Sequence, residues 1–331
     1  MDDIPEFPLF RSVKLSDRLS YEEFYKSFEP YSDFCFNNLW VWFNQLGQLA
    51  FSEHNGNLVI RLINPFNNNE EQYSVLGINH CEQTFKVVFE WQRQKGIKQQ
   101  LTMVPQAVLS SALKISKPFF DYTEDPDNRD YIYDVETTYE SKGGKYEKYR
   151  HALSYFSNYY SEPQFMEIDL KDYKQRILLI NRLHTWDTTY RQSDQARIEG
   201  AAIDRYLFFA DDLPVKCLGM FMDGALESFA LYQLLPQKNF AAVNHLKANN
   251  AFNYIFDITF SQLIKIFHQT GIRFVSLEQD LGLPGLRTHK ERLRPSQYLY
   301  RYTVKPIHAY LQSPHTNNQA DQLRQTSLEH H

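Results

Sequence analysis

Phe274-Val275-Ser276-Leu277-Glu278-Gln279-Asp280-Leu281-Gly282-Leu283-Pro284-Gly285-Leu286-Arg287 carries an apolar run straight into charge, and Thr288-His289-Lys290, Arg292, Arg294 and Pro295 follow. The first four residues read as a strand. Two carboxylates at its end, two glycines, a proline and then cations describe a loop that presents charge. A strand that ends this way sets the loop at the rim of a sheet, where ligand sites of mixed α/β proteins gather. The same charges also suit a fixed internal ion pair between Asp280 and Arg287, and the sequence leaves both readings open.

The elements around this stretch repeat. Leu49–Phe51 and Leu58–Leu62 flank Asn55-Gly56, a pair that supplies the positive φ values of a tight hairpin turn. Asn64–Asn69 reads as a loop. A helix is expected over about 82–95, because Phe85, Val88, Phe89 and Gln92 share a face and Gly96 stops it. A strand at 100–104, a short helix at 107–113 and a strand at 131–133 close the first pass. The second half offers a helix near 173–187, strands near 217–222, 227–234 and 240–245 with Asp223-Gly224 as the first turn, and a long helix at 251–268. Phe274–Leu277 and Tyr298–Tyr302 read as its closing strands. Strand, strand, strand, helix, strand, twice over, predicts a duplicated α/β module with the junction near Pro163. The expected division is a first module over 1–160, a second over 161–312 and a tail over 313–331.

A chain of 331 residues suits two domains, and 43% hydrophobic with 15% aromatic content supplies a sizeable core. The net charge of −5 argues against a dedicated DNA-binding protein. Three scattered cysteines, Cys35, Cys81 and Cys217, form neither a disulfide framework nor a metal knuckle, as expected of a cytoplasmic protein. The acidic start Met1-Asp2-Asp3 is unlike a signal peptide, and no run reaches the roughly 18–20 apolar residues that span a bilayer. Leu328-Glu329-His330-His331 reads as the start of a vector-encoded histidine tag.

Three segments, Asp130-Tyr131-Ile132-Tyr133, Gly144-Lys145-Tyr146-Glu147-Lys148-Tyr149-Arg150 and the Glu278–Arg287 loop with Lys290, resemble signatures of a bacterial family related to the C-terminal domain of phosphatidylglycerol lysyltransferase. His245-Leu246-Lys247-Ala248 fits the same pattern, and the matching order runs from about Phe34 to Tyr302. The resemblance implies two tandem acetyltransferase-like (GNAT) modules, an α/β (α+β) fold with mixed sheets around a central groove. It also implies transfer of an amino acid from the acceptor end of an aminoacyl-tRNA to a lipid head group, a peptidoglycan precursor or another small amine or hydroxyl acceptor. This sequence holds no counterpart of the lysyltransferases' membrane-spanning flippase region, and its Asp280–Arg287 loop differs from theirs. Both departures count against lipid among those acceptors.

An activated aminoacyl ester needs positioning and proton transfer rather than a metal, so no metal and no cofactor are expected. Glu278 or Asp280 is the candidate base, and Arg287 or Lys290 the candidate grip on negative charge. Lys145, Arg150, His245 and Lys247 are further candidates for substrate contact. Residues 142–150 set four cations against one acid, and 287–305 set six against one, with Tyr146, Tyr149, Tyr298, Tyr300 and Tyr302 interleaved. Cations among aromatic faces suit a single-stranded RNA end, and equally suit solvated faces over half-buried tyrosines. Neither main helix opens on a Gly-rich run: Lys247-Ala248-Asn249-Asn250-Ala251 stands where acyl-CoA enzymes cradle pyrophosphate. An acyl-CoA-dependent N-acyltransferase is therefore the second reading, and a non-catalytic binding protein on the same fold the third.

Overall fold

The computed structural model describes residues 3–44, 48–64, 70–114, 119–190, 194–237 and 239–307. Apart from Asn64, the expected Asn-rich loop lies outside them, as do the tail and the terminal histidines. The first half runs through β1 (Arg11–Ser12), α1 (Arg18–Tyr25), α2 (Phe36–Asn38), β2 (Ala50–His54), β3 (Asn57–Asn64) and β4 (Glu70–Leu76). It continues through α3 (Cys81–Gln94), β5 (Leu101–Pro105), α4 (Gln106–Ala112), β6 (Phe120–Glu124) and β7 (Asp130–Asp134). Helices α5 (Val135–Glu140) and α6 (Glu147–Tyr159) lead to the second half. That half holds β8 (Gln164–Ile168), α7 (Tyr173–Tyr190), α8 (Asp194–Phe208), β9 (Lys216–Met222), β10 (Ala225–Leu234) and β11 (Phe240–Ala248). After α9 (Ile255–Gln269) come β12 (Phe274–Ser276), α10 (Pro284–Arg292), β13 (Gln297–Leu299) and β14 (Arg301–Pro306).

Both expected hairpins form, with Asn55 and Gly56 at φ 55° and 73° and Asp223 and Gly224 at 49° and 79°. Two successive positive φ values match the right-handed twist of the flanking strands, which is why Asn-Gly and Asp-Gly close them. The apolar stripe on α3 is buried as read, and so are Thr259, Phe260, Leu263, Ile264 and Phe267 on α9. Helix α9 starts four residues later than expected, since Tyr254 takes a left-handed φ of 63° that no α-helix continues through.

The sheets expose the duplication. One module has strands in the order β1-β2-β3-β4 beside β5-β14-β6, and the other has β8-β9-β10-β11-β12-β7-β13. Position by position the orders correspond, with the last strand of each half exchanged: β7 lies in the second module's sheet and β14 in the first module's. The run 298–302, expected as one strand, is therefore two. Tyr298 pairs with Tyr131 in one sheet, while Tyr302 pairs with Val104 and Glu124 in the other. Tyr300 lies between them as the hinge of the crossing.

The crossings sit side by side. Residues 125–129 carry the chain from β6 to β7, and Asp125 N–H donates to the Arg301 carbonyl at 2.9 Å. Arg301, with no exposed surface, donates from Nη2 to Asp130 Oδ2 at 2.7 Å and to Ser32 Oγ at 3.1 Å, and it also pairs with Asp33 and the Asn128 carbonyl. Ser32 closes the set on Asp130 through its N–H at 2.8 Å and its hydroxyl at 2.6 Å. One guanidinium thus ties the two exchanged strands to the first half's amino-terminal segment. A core shared by both halves, including Phe34, Leu39, Phe51, Ile60, Ile203, Tyr206 and Phe229, lies against this knot.

Removing one partner of a buried pair strands the others' charge, a loss of about 3–5 kcal/mol. Arg301→Met is expected to lower unfolding stability in urea by that amount. A loss under about 1 kcal/mol would show that the knot does not hold the exchange.

Candidate active site

Strands β11 and β12 pair in parallel from Phe240↔Phe274 to Ala242↔Ser276, and there β12 stops while β11 runs on. Continuing that register brings Asn244 beside Glu278, and Asn244 Nδ2 donates to Glu278 Oε1 at 2.8 Å. Two irregularities aim these side chains. Asn244 is a bulge, since His245 opposes Leu231 and Val243 opposes Tyr232, leaving Asn244 with no residue across from it. Glu278 takes a left-handed φ of 57°, a conformation costly for a side chain with a Cβ and concentrated at functional sites.

Asn38, at the end of α2, donates to the same Oε1 at 2.8 Å and accepts from the Tyr206 hydroxyl at 2.6 Å. A five-residue π-helical turn, Leu39–Phe43, follows and turns Trp42 and Phe43 to the same space. That space is a cavity of about 600 Å³ between the modules. Gln72 of β4, Thr102 and Met103 of β5, Thr303 of β14, the crossing residues Asp125, Asp127 and Asn128, and Glu278 itself all line it. Glu278 Oε2 has no hydrogen-bond partner among the described residues. Burial and the neighbouring Asp130 charge push the Glu278 carboxyl up to about 7, against the pull of Asn38, Asn244 and Lys290.

Lys290 belongs to a helix, α10, rather than to the loop expected over 278–290; Pro284 at its first turn, where a missing N–H costs nothing, sets its start. Its ammonium donates to the carbonyls of Leu277 and Gln279, on either side of Glu278. Burial pulls Lys290 down to about 8, while Glu278, Asp130 and Asp280 favour its charged form. Lys290 therefore fixes the loop backbone and places a positive charge behind the Glu278 carboxyl.

Asp280 and Arg287 meet each other. Arg287 donates from Nε to Oδ2 at 2.7 Å and from Nη2 to Oδ1 at 2.8 Å, and also from Nη2 to Asp127 at 2.7 Å. Tyr131 and the Gly282 N–H complete the coordination of the Asp280 carboxylate, whose side chain is fully buried. Against its burial, these bonds hold the Asp280 carboxyl below the usual carboxylate range. Gly282, at φ 71°, is required here, because a Cβ would come 3.0 Å from the Asp127 carboxylate. The ion-pair reading of this loop is the one the geometry realises, and Asp280 has no oxygen left to serve as a base.

The remaining candidates divide. His245 and Lys247 are buried beside Glu199, with His245 Nδ1 3.5 Å from its carboxylate and Lys247 ion-paired to it. The His245 ring lies 5.4 Å from that of Trp42, which joins this cluster to the cavity's inner wall. Lys145 and Arg150 are exposed, do not line the cavity, and frame the turn before α6, where Arg150 donates to the Gly143 carbonyl at 2.9 Å. Sequence reasoning missed Asn38, Asn244, Asp33, Asp127 and Arg301 as parts of the site. Among the described residues no group of three or more His, Cys, Asp or Glu could hold a metal ion.

Two exchanged GNAT-like modules meeting over a recessed carboxylate define an acetyltransferase-like fold. Residues 83–305 match the family model described as phosphatidylglycerol lysyltransferase, C-terminal, and the chain belongs to that family. A conserved protein of unknown function from Bacteroides thetaiotaomicron shares the fold at TM-score 0.79 and 20% identity, over 90% of this chain and 99% of that one. L-PGS from Bacillus licheniformis shares it at TM-score 0.61 and 13% identity, over 95% of this chain and 96% of that one. No curated protein sequence matches this chain.

An ionised Asp280 stabilises the fold above the unfolded carboxylate pKa of about 3.9, and the gain is lost as pH falls through its lower folded value. Arg287→Met, which removes the main cause of that lowering, should lower the melting temperature near neutral pH. The gap from the parent protein should narrow in acid below about pH 4, read as melting temperature against pH. A gap that is unchanged in acid would contradict the pairing.

Proposed function

We propose that this protein is an aminoacyltransferase, taking an amino acid from aminoacyl-tRNA to a hydroxyl or amine acceptor seated in the cavity between the modules. One observation carries the reading: Glu278, anchored by one oxygen, offers the other to the cavity with a proton affinity near neutrality. A base of that strength takes the acceptor's proton as it attacks the ester carbonyl, then returns a proton to the departing ribose hydroxyl. Lys290, bonded to the carbonyls flanking Glu278, keeps the carboxyl in register with the reacting atoms. Family membership supports transfer chemistry of this kind.

The surface best suited to an RNA end is the outer face of α6. It exposes Lys148 and Arg150 beside Lys145, and Tyr155 stacks on the exposed Tyr159 at 4.3 Å, with Tyr254 edge-on at 5.3 Å. Acyl-CoA is the weaker donor. The amino terminus of α9, where its pyrophosphate would dock, already holds the buried Asp257 carboxylate, bonded to Arg292 at 2.6 and 2.7 Å. Aminoacyl-tRNA as donor places the protein in the cytoplasm; three buried free thiols agree with this, and among the described residues no helix is long and apolar enough to cross a membrane.

Single-turnover release of amino acid from charged tRNA, with cell extract supplying acceptor, tests the role of Glu278. The base must be ionised, so the rate should rise with pH and level off above about 7. Glu278→Gln should cut the plateau by about 100- to 10,000-fold with an unchanged melting temperature. A mutant retaining the parent rate and pH profile would refute the assignment.

A further inference from the structure

The walls of the cavity carry an imbalance of charge that goes beyond the proton chemistry at its floor. Apart from Glu70, four acids line it, Asp33, Asp125, Asp127 and Glu278, against two lysines, Lys98 and Lys305. The arginines behind the walls do not cancel the excess, because each serves two carboxylates. Arg301 holds Asp130 as well as Asp33, and Arg287 holds Asp280 as well as Asp127. In each triad the second carboxylate, Asp33 or Asp127, is the one that lines the cavity. Asp125 adds a further charge, bonded to the Asn128 amide at 2.8 Å.

The floor is also short of donors. The amide N–H groups of Asn38 and Asn244 are already given to Glu278 Oε1, and the Lys290 ammonium is given to backbone carbonyls. What remains beside the carboxylate is acceptor capacity. Glu278 Oε2, on a residue that lines the cavity, is that acceptor; Asn244 Oδ1, buried behind it, is unpartnered as well. An ammonium brings donors alone and no acceptor, so it suits Glu278 Oε2, whereas a phosphodiester brings only acceptors to a negatively charged wall.

Resting on the transfer reaction above, we infer that the acceptor is a primary amine on a hydrophilic, cationic molecule, and that the product is an amide. The acceptor enters as an ammonium and loses one proton to solvent. Its nitrogen then attacks the ester carbonyl: the C–N bond forms, the bond from carbonyl carbon to ribose oxygen breaks, and Glu278 relays the second proton from nitrogen to that oxygen. An anionic glycerol head group does not fit these walls.

Calorimetric titration of the full chain with cadaverine, its diol analogue and glycerol phosphate tests the assignment without requiring turnover. Cadaverine should bind at least about ten-fold more tightly than either. Asp125→Asn and Asp127→Asn should each weaken it by about five-fold, the factor that two unit charges about 4 Å apart contribute in water. Glycerol phosphate binding as tightly as cadaverine would overturn the inference. So would cadaverine affinity indifferent to both variants, or no detectable cadaverine binding at millimolar concentration. The transfer assay separates this inference from the reaction it rests on. Selective amine binding with no aminoacyl transfer would keep the site and sink the reaction, and transfer to a glycerol hydroxyl as fast as to an amine would do the reverse.

Discussion

A single buried guanidinium organises this molecule. Arg301 lies at the point where the last strand of each half crosses into the other half's sheet, and it reaches Asp130 on one exchanged strand while itself belonging to the other. Burying such charges is costly, and an apolar knot of the same volume could be as stable. What the charged version adds is direction. Nη donors shared by Asp130, Ser32 and the Asn128 carbonyl, with Asp33 ion-paired beside them, admit one register of crossing, and a slip by one residue would leave charge unpaired in the core. The exchange also explains why the two modules share one large core instead of touching through a wet interface.

The site is a consequence of that crossing. Residues 125–129, which the exchange forces to pass between the sheets, become a wall of the cavity. The parallel pair β11–β12 opens at its end, and the opening is filled by Asn244 and Glu278. Burial raises the Glu278 proton affinity, the asparagines moderate it, and Lys290 supplies a compensating charge without occupying the cavity side of the carboxyl. The strained φ at Glu278 is held by bonds to β7, with Tyr131 N–H on the Glu278 carbonyl at 3.1 Å and Leu277 N–H on the Tyr131 carbonyl at 3.0 Å. An exchanged strand thus supports the candidate base directly.

Local pattern made much of this legible. Asn55-Gly56, Asp223-Gly224 and the apolar stripes of α3 and α9 declare their structure through turn chemistry and helical period, and the repeated order declares the duplication. Glu278 and Lys290 stood out as charges at a strand end. The exchange did not, because Tyr298–Tyr302 has the same β pattern whichever sheet it joins, and pairing partners are not encoded in periodicity. Asn38 was invisible for a related reason: 240 residues separate it from Glu278, and an asparagine in a short aromatic segment carries no signal of a distant carboxylate. Counting charge along the chain also misled. The cations of 287–305 disperse inward to Asp280, Asp257 and Asp130, while acids scattered through the first half gather at the cavity.

Everything proposed for the chemistry depends on one carboxyl titrating near neutral pH. Glutamate side chains labelled at the carboxyl carbon report each group's titration by NMR, and the Glu278 signal is identified by its loss in Glu278→Gln. The account predicts a midpoint near 7 for that signal. A midpoint near the ordinary glutamate value of about 4.3 would contradict it.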